Sequence, residues 1–263
     1  MSAATPQSIS FMRKTRRGGS GDRVSGGELK TYLVLGCKPW NRRLFDENLS
    51  ALPGRWHYID VPGDLSPVKL KELSPRYIFF LHWSWKVPDE VVDGYECVCF
   101  HMTDVPFGRG GSPLQNLIVR GLRETKLTAL RMTREFDAGP VYRKERLSLE
   151  GGAEEIYLRA GQLSAGMIQR IIQREPTPTP QKGRAVNFKR RKPEESELGN
   201  DALQPGSLDQ LYDCIRMLDA EGYPRAFLHH SGFRFEFSRP ALYDGRIVAD
   251  VTISRVKSKE SGR

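Results

Sequence analysis

The chain has 263 residues, 38% of them hydrophobic and 28% charged, and a formal net charge of +9. That length allows roughly one to two domains, and the apolar content suffices for a core, which excludes collagen-like, mucin-like and wholly disordered classes. No apolar run approaches the ~18 residues of a membrane span and the N-terminus lacks a secretory apolar centre, so a cytoplasmic location without membrane contact is expected. The positive charge is concentrated in two segments. Residues 1–30 carry six basic and two acidic groups, and Lys182 to Lys192 carry six basic and none acidic. The rest of the chain is close to neutral, which suits an enzyme of anionic small molecules at least as well as a nucleic-acid binder. Four scattered cysteines, Cys37, Cys97, Cys99 and Cys214, read as reduced thiols rather than a disulfide framework.

In chain order, residues 1–29 are rich in Ser, Gly and Arg and read as a disordered basic tail. Thr31–Leu35 is a short strand, Pro39 to Ala51 a helix with proline in its first turn, and Trp56–Val61 a second strand. A short helix at Pro67–Leu73 precedes Tyr77–Leu81, an apolar run of the kind a strand buried on both faces requires. A helical turn at Asp89–Asp93, the strand Glu96–Phe100 and a glycine-rich loop from His101 follow. The helix Pro113–Arg120 and the strands Leu127–Thr133 and Val141–Leu147 come next. In Glu154–Gln173, Ile156, Ala160, Leu163, Met167 and Ile171 recur at helical spacing.

This alternation implies an α/β fold, an open and mostly parallel sheet with helices on both faces. One domain is expected over residues 30–180, followed by a basic linker, 181–206, introduced by EPTPTPQKG. A small helix plus β-strand unit occupies 207–256. There Ser207 and Gln210 form a capping box ahead of a face of Leu208, Leu211, Ile215 and Leu218, and alternating strands follow. Residues 257–263 are a polar tail.

In such sheets, ligands bind beyond the carboxyl ends of the strands. Two apolar strands empty into unusual loops: Tyr77–Leu81 into His82, Trp83, Ser84 and Trp85, and Glu96–Phe100 into His101. His101 stands where an acid or base belongs, although a structural histidine in a tight glycine loop is the plain alternative. Gly108, Gly110 and Gly111 would let a backbone approach a ligand, and Arg109 can fork onto an anion. Asp137 begins the approach to the next strand, and beside His101 it would orient the imidazole and favour its charged form. Cys97, Cys99 and His101 alternate along one strand, a stiff arrangement ill suited to tetrahedral zinc, so no metal is expected. Trp83 and Trp85 could stack on a flat heterocycle or plug the core beneath their loop.

The run from Tyr77 to Leu147 resembles the catalytic core of the folate-dependent formyltransferases. That superfamily includes methionyl-tRNA formyltransferase, the glycinamide ribonucleotide enzyme and the formyltransferases of nucleotide-linked amino sugars. The likeness rests on an ordered set: a strand whose loop ends in Pro88, a strand delivering His101, then VPFGRGGSPLQN (105–116) and FDAGPVY (136–142). It continues more weakly through residues 190–195 and LYDCIRMLDAEGYPRAF (211–227).

The resemblance implies formyl transfer from 10-formyltetrahydrofolate to a primary amine, with no metal. It makes His101 the acid/base group and Asp137 its support, and it places Cys99 where relatives carry an asparagine. Because a thiol is a weak donor, a catalytically impaired folate- or nucleotide-binding relative is one alternative. The resemblance further assigns His82, Trp83, Ser84, Trp85, Val87 and Pro88 to the folate, and Arg109, Gly110, Gly111, Ser112 and Gln115 to the acceptor. Only about 50 residues follow Ser207, short for the full barrel of a tRNA enzyme and closest in size to the sugar-nucleotide N-formyltransferases. The expected acceptor is therefore a nucleotide-linked amino sugar, with methionyl-tRNA as the alternative and a homodimer left open.

Overall fold

A computed structural model describes residues 29–199 and 203–256; the tail expected at 1–29 lies outside them but for Leu29, and the tail at 257–263 lies outside them entirely. The central sheet has the strand order β2-β1-β3-β4-β6-β7. Its strands are β1 (Thr31–Gly36), β2 (Arg55–Ile59), β3 (Tyr77–Leu81), β4 (Cys97–His101), β6 (Glu124–Arg131) and β7 (Val141–Ser148). The pairs from β2 to β4 are parallel, whereas β6 runs antiparallel to both of its neighbours. All five residues of β3 are buried, as a central strand covered on both faces demands.

Strand alternation divides the core. Val34, Phe79, Val98 and Met102 face α1 (Pro39–Leu44), α4 (Pro113–Val119) and α5 (Ala153–Arg174). Leu33, Leu35, Ile78, Phe80 and Cys97 face α2 (Pro67–Leu73) and α3 (Asp89–Gly94). The helix expected to reach Ala51 keeps α-helical bonding only through Leu44 and continues as a π-helical turn over Phe45–Leu49.

The alternation rule misses one pairing. β5 (Phe107–Gly110), inside the glycine loop, pairs in parallel with β8 (Val186–Phe188), inside the basic segment. Neither reads as a strand, because FGRG is half glycine and VNF, flanked by basic residues, is too short to establish a period-two signal.

The C-terminal residues form α6 (Leu208–Arg216) and an antiparallel sheet of β9 (Phe227–His230), β10 (Phe233–Tyr243) and β11 (Arg246–Arg255). Ser207 caps α6 as expected, accepting from the Gln210 N–H at 3.2 Å. The return bond differs: Gln210 Oε1 accepts from Gly206 N–H at 2.7 Å rather than from Ser207. Leu208, expected in the buried face, is 39% exposed, because the first turn of this short helix stands off the core.

The second half of α6 and the turn after it join the main core through Cys214, Ile215, Met217 and Leu218. Arg216 locks it there. Only 1% exposed, it donates from Nε to Asp213 (2.6 Å) and from Nη1 to the carbonyls of Leu149 (2.6 Å) and Gly151 (2.8 Å). Its removal would leave a buried carboxylate and two carbonyls without that donor. Arg216→Met is therefore expected to lower stability by about 3–5 kcal/mol, read from urea unfolding.

Candidate functional site

The reversal of β6 shapes the site. Since β6 descends beside β4, its end lies next to the start of β4, with Arg131 opposite Val98 and Met132 N–H bonded to the Cys97 carbonyl at 2.8 Å. The segment that follows must turn back along the sheet to bring Asp137 to His101, 36 residues earlier. Asp137 adopts a left-handed φ of 53° in that return.

The expected pair is assembled. His101 is 8% exposed, and its Nδ1 lies 3.5 Å from Asp137 Oδ1. Asp137 Oδ2 accepts the Gly110 N–H at 2.9 Å, which fixes the carboxylate from its other side. His101 Nε2 is 2.7 Å from the Gly108 carbonyl, so that nitrogen carries a hydrogen. Burial, seconded by the Asp137 carboxylate, holds the Cys99 thiol well above its ordinary value, and it is a neutral S–H.

The glycine loop is used differently from expectation. A Cβ on Gly110 would lie 2.6 Å from the Phe188 carbonyl oxygen, and one on Gly111 2.5 Å from Arg190 Cα. Both glycines thus admit β8 and the residues after it. Arg109 does not present a free fork: Nε and Nη2 donate to Gln181 Oε1 at 3.1 and 2.9 Å, and Nη1 is 3.4 Å from Glu135. Gln181 returns its amide to the carbonyls of Asp137 and Gly139, both at 2.8 Å. This glutamine carries no sequence signal, standing in a proline-rich connection. Ser112 Oγ accepts the Arg191 N–H at 3.0 Å. Gln115, buried, donates to the Tyr157 hydroxyl and to the Met217 carbonyl, both at 3.1 Å.

Beside this assembly lies a cavity of about 500 Å³. Gly110, Gly111, Ser112 and Gln115 line it, as do Phe100 and Met102, the residues on either side of His101 at the end of β4. His101, Asp137, Cys99 and Arg109 are not among its lining residues. Its cations come from Lys38 and from Arg190, Arg191 and Lys192.

The loop after β3 supplies part of the wall through His82, Trp83 and Ser84, and Tyr157, Tyr223 and Pro224 supply another. His82, at φ 51°, packs edge-on to Trp40, Tyr157 and Tyr223, with its ring 4.8 Å from that of Tyr157, and its Nε2 is hydrogen-bonded to the Tyr223 hydroxyl. Trp83 meets Trp85 edge to face at 4.8 Å, and its indole N–H is buried without a partner. Trp85 is 45% exposed. Val87 is buried among the residues under α3, and Pro88 stands at the N-terminus of that helix. Among the described residues, no group of His, Cys, Asp and Glu is placed to hold a metal, and no helix is long and apolar enough to cross a membrane.

A solved structure of a methionyl-tRNA formyltransferase from Clostridium thermocellum is 43% identical to the chain, at a TM-score of 0.81. The alignment covers 87% of this chain and 100% of that one. The chain belongs to the methionyl-tRNA formyltransferase family. A profile of the methionyl-tRNA formyltransferase C-terminal domain matches residues 193–254. The methionyl-tRNA formyltransferase of Sinorhizobium medicae is 26% identical over 178 residues, 60% of this chain and 57% of that protein. The chain thus spans about half the length of the curated relatives it matches. The fold alone extends to a 4-N formyltransferase from Francisella tularensis, 14% identical at a TM-score of 0.60 over 85% of this chain and 97% of that one.

The His82 environment makes a pH prediction. Burial, with the Lys38 cation second, pushes His82 down to about 4 from its ordinary 6.5. A histidine depressed in the fold takes up its proton more readily when unfolded. Its contribution is therefore fully present above pH 6.5 and is lost as pH falls toward 4. Urea unfolding over that range should show wild type losing more stability than His82→Gln.

Proposed function

We propose that the protein is a folate-dependent N-formyltransferase that formylates the amine of methionyl-tRNA. The observation that carries the chemistry is the His101–Asp137 pair, held at 3.5 Å across a separation of 36 residues in the chain. The donor, 10-formyltetrahydrofolate, supplies the formyl group. The loop after β3 fits such a ligand: the buried Trp83 N–H lacks an acceptor, and a heterocyclic carbonyl or ring nitrogen would provide one. Ser84 and Trp85, exposed on the same loop, would complete that contact.

An attacking amine must be neutral; as it bonds to the formyl carbon it would shed a proton to His101, and as the bond from that carbon to the folate nitrogen breaks, the proton would pass on to the departing nitrogen. With Nε2–H committed to the Gly108 carbonyl, the His101 nitrogen that exchanges this proton is Nδ1. Asp137 would stabilise the imidazolium so formed, and that cation would favour negative charge developing on the formyl oxygen. The Cys99 S–H adds little to that stabilisation, being a weak donor. His101→Ala should cut transfer by at least ~10²-fold with the fold retained, measured as turnover beside a melting curve. Near-wild-type turnover in the folded variant would remove His101 from the mechanism.

Two facts favour tRNA over the amino-sugar nucleotide that the chain length suggested. The relative at 43% identity bears the tRNA enzyme's name, and its whole chain aligns within this one, so a short C-terminal unit no longer weighs against tRNA. Of the cations at the cavity, Arg190, Arg191 and Lys192 also end a longer basic segment, and Lys38 adds to them from the loop after β1, which suits a phosphate backbone. Charged initiator tRNA and a panel of amino-sugar nucleotides, each offered with the formyl donor at low and high salt, separate the readings. Formylation of the tRNA that weakens steeply with salt is expected. Transfer to a sugar alone would overturn the acceptor assignment, and folate binding without transfer to anything would overturn the enzyme.

A further inference from the structure

We propose that Thr103 is a positioning residue, which holds the Gly108 carbonyl against His101 and so fixes the ring nitrogen that exchanges the proton. The proposal rests on the acid–base reading of His101. Its basis is a closed circuit of buried groups. The β5–β8 register slips between Phe107 and Arg109, and Gly108 sits at that irregularity with φ +79°. Its carbonyl accepts twice, from His101 Nε2–H at 2.7 Å and from the Thr103 hydroxyl at 3.2 Å, which fills both lone pairs. Thr103 is fully buried, and its own carbonyl accepts the Thr128 hydroxyl at 2.7 Å. Thr128 is in turn the β6 residue opposite His101. The circuit begins and ends at the histidine.

Gly108 has no room to be anything else, since a Cβ there would lie 2.7 Å from Thr103 Cγ2 and 2.8 Å from Phe188 Cε2. A glycine peptide with positive φ is, however, the kind most free to rotate. Two donors on its carbonyl remove that freedom. A carbonyl oxygen only accepts, so Nε2 stays protonated in both charge states of His101, and Nδ1, facing Asp137, is the nitrogen that gains or loses the proton. Without the Thr103 hydroxyl, the carbonyl keeps one of its two tethers, and ring arrangements with the hydrogen on the other nitrogen become accessible. The competing account is that Thr103 is only a satisfied core residue; removing its hydroxyl would then alter stability and leave the ring unchanged.

Thr103→Val keeps the branched shape and removes the donor, while Thr103→Ser keeps the donor. The ring nitrogen NMR shifts of His101, assigned by their loss in His101→Gln, report which nitrogen carries hydrogen and require no substrate. In wild type and Thr103→Ser the hydrogen should reside on Nε2. In Thr103→Val both tautomers should appear, and kcat should fall roughly 10-fold at unchanged KM, a fraction of what a positioned acid–base group supplies. Folded Thr103→Val with wild-type ring shifts would overturn the proposal, whatever its turnover. Should Thr103→Val not fold, Thr103→Ala replaces it with the same two outcomes. If wild type transfers formyl to no acceptor, the functional reading fails, while the ring shifts still decide the role of Thr103.

Discussion

The docking of residues 186–191 onto the glycine loop is the contact on which the site depends. Val186 N–H reaches the Pro106 carbonyl at 3.0 Å, Gly111 N–H the Phe188 carbonyl at 3.2 Å, and Arg191 N–H the Ser112 hydroxyl at 3.0 Å. Each bond contributes only about 1 kcal/mol net. Their placement matters more than their sum. The ladder leaves the Gly110 amide free for Asp137 and the Gly108 carbonyl free for His101. It also turns a basic stretch that would otherwise be solvated linker into one rim of the cavity. Gly110 and Gly111 are glycine because backbone, with or without a ligand, comes too close for a Cβ.

Much of the fold was legible because burial writes strong patterns. The run YIFFL, the ends of α2 and the stripe of α5 all stand where composition and spacing place them. The His101–Asp137 pair was legible only through the ordered set of loops around it, since no spacing rule links positions so far apart. Its geometry was not: a parallel strand before Asp137 would have delivered the carboxylate at the sheet edge directly, whereas the antiparallel β6 delivers it by a return loop. The β5–β8 ladder, Gln181 and Arg216 escaped notice for a common reason. Each acts through backbone carbonyls or amides, which every residue possesses and no sequence pattern marks.

Arg109 shows how a correct residue type can still mislead. A guanidinium in a glycine loop has the chemistry to grip an anion. Here all three of its nitrogens meet Gln181 or Glu135, so the loop's cation stabilises the segment that carries Asp137 rather than a ligand. The cations that line the cavity are instead Lys38 and the residues after β8, brought together from distant parts of the chain by folding alone.

The two faces of β4 divide the labour of the proposed reaction. Phe100 and Met102 border the cavity with its cations, while Cys97 and Cys99 point into the core beneath α2 and α3. His101 shares the parity of the cysteines, yet it stands at the last position of the strand, where the chain leaves the sheet and neither face is sealed by a further residue of the ladder. The Trp83 loop lines the same cavity, so a donor held there and an amine held in the cavity would, in the proposed reaction, meet near this end of the strand. In the proposed reaction the Cys99 thiol, standing where the resemblance implies an asparagine, would bear on the stabilisation of oxygen charge rather than on proton transfer. Within the proposed mechanism that burden falls on the imidazolium, which is why the circuit through Gly108 and Thr103 would matter more in this chain than in a relative that keeps the asparagine.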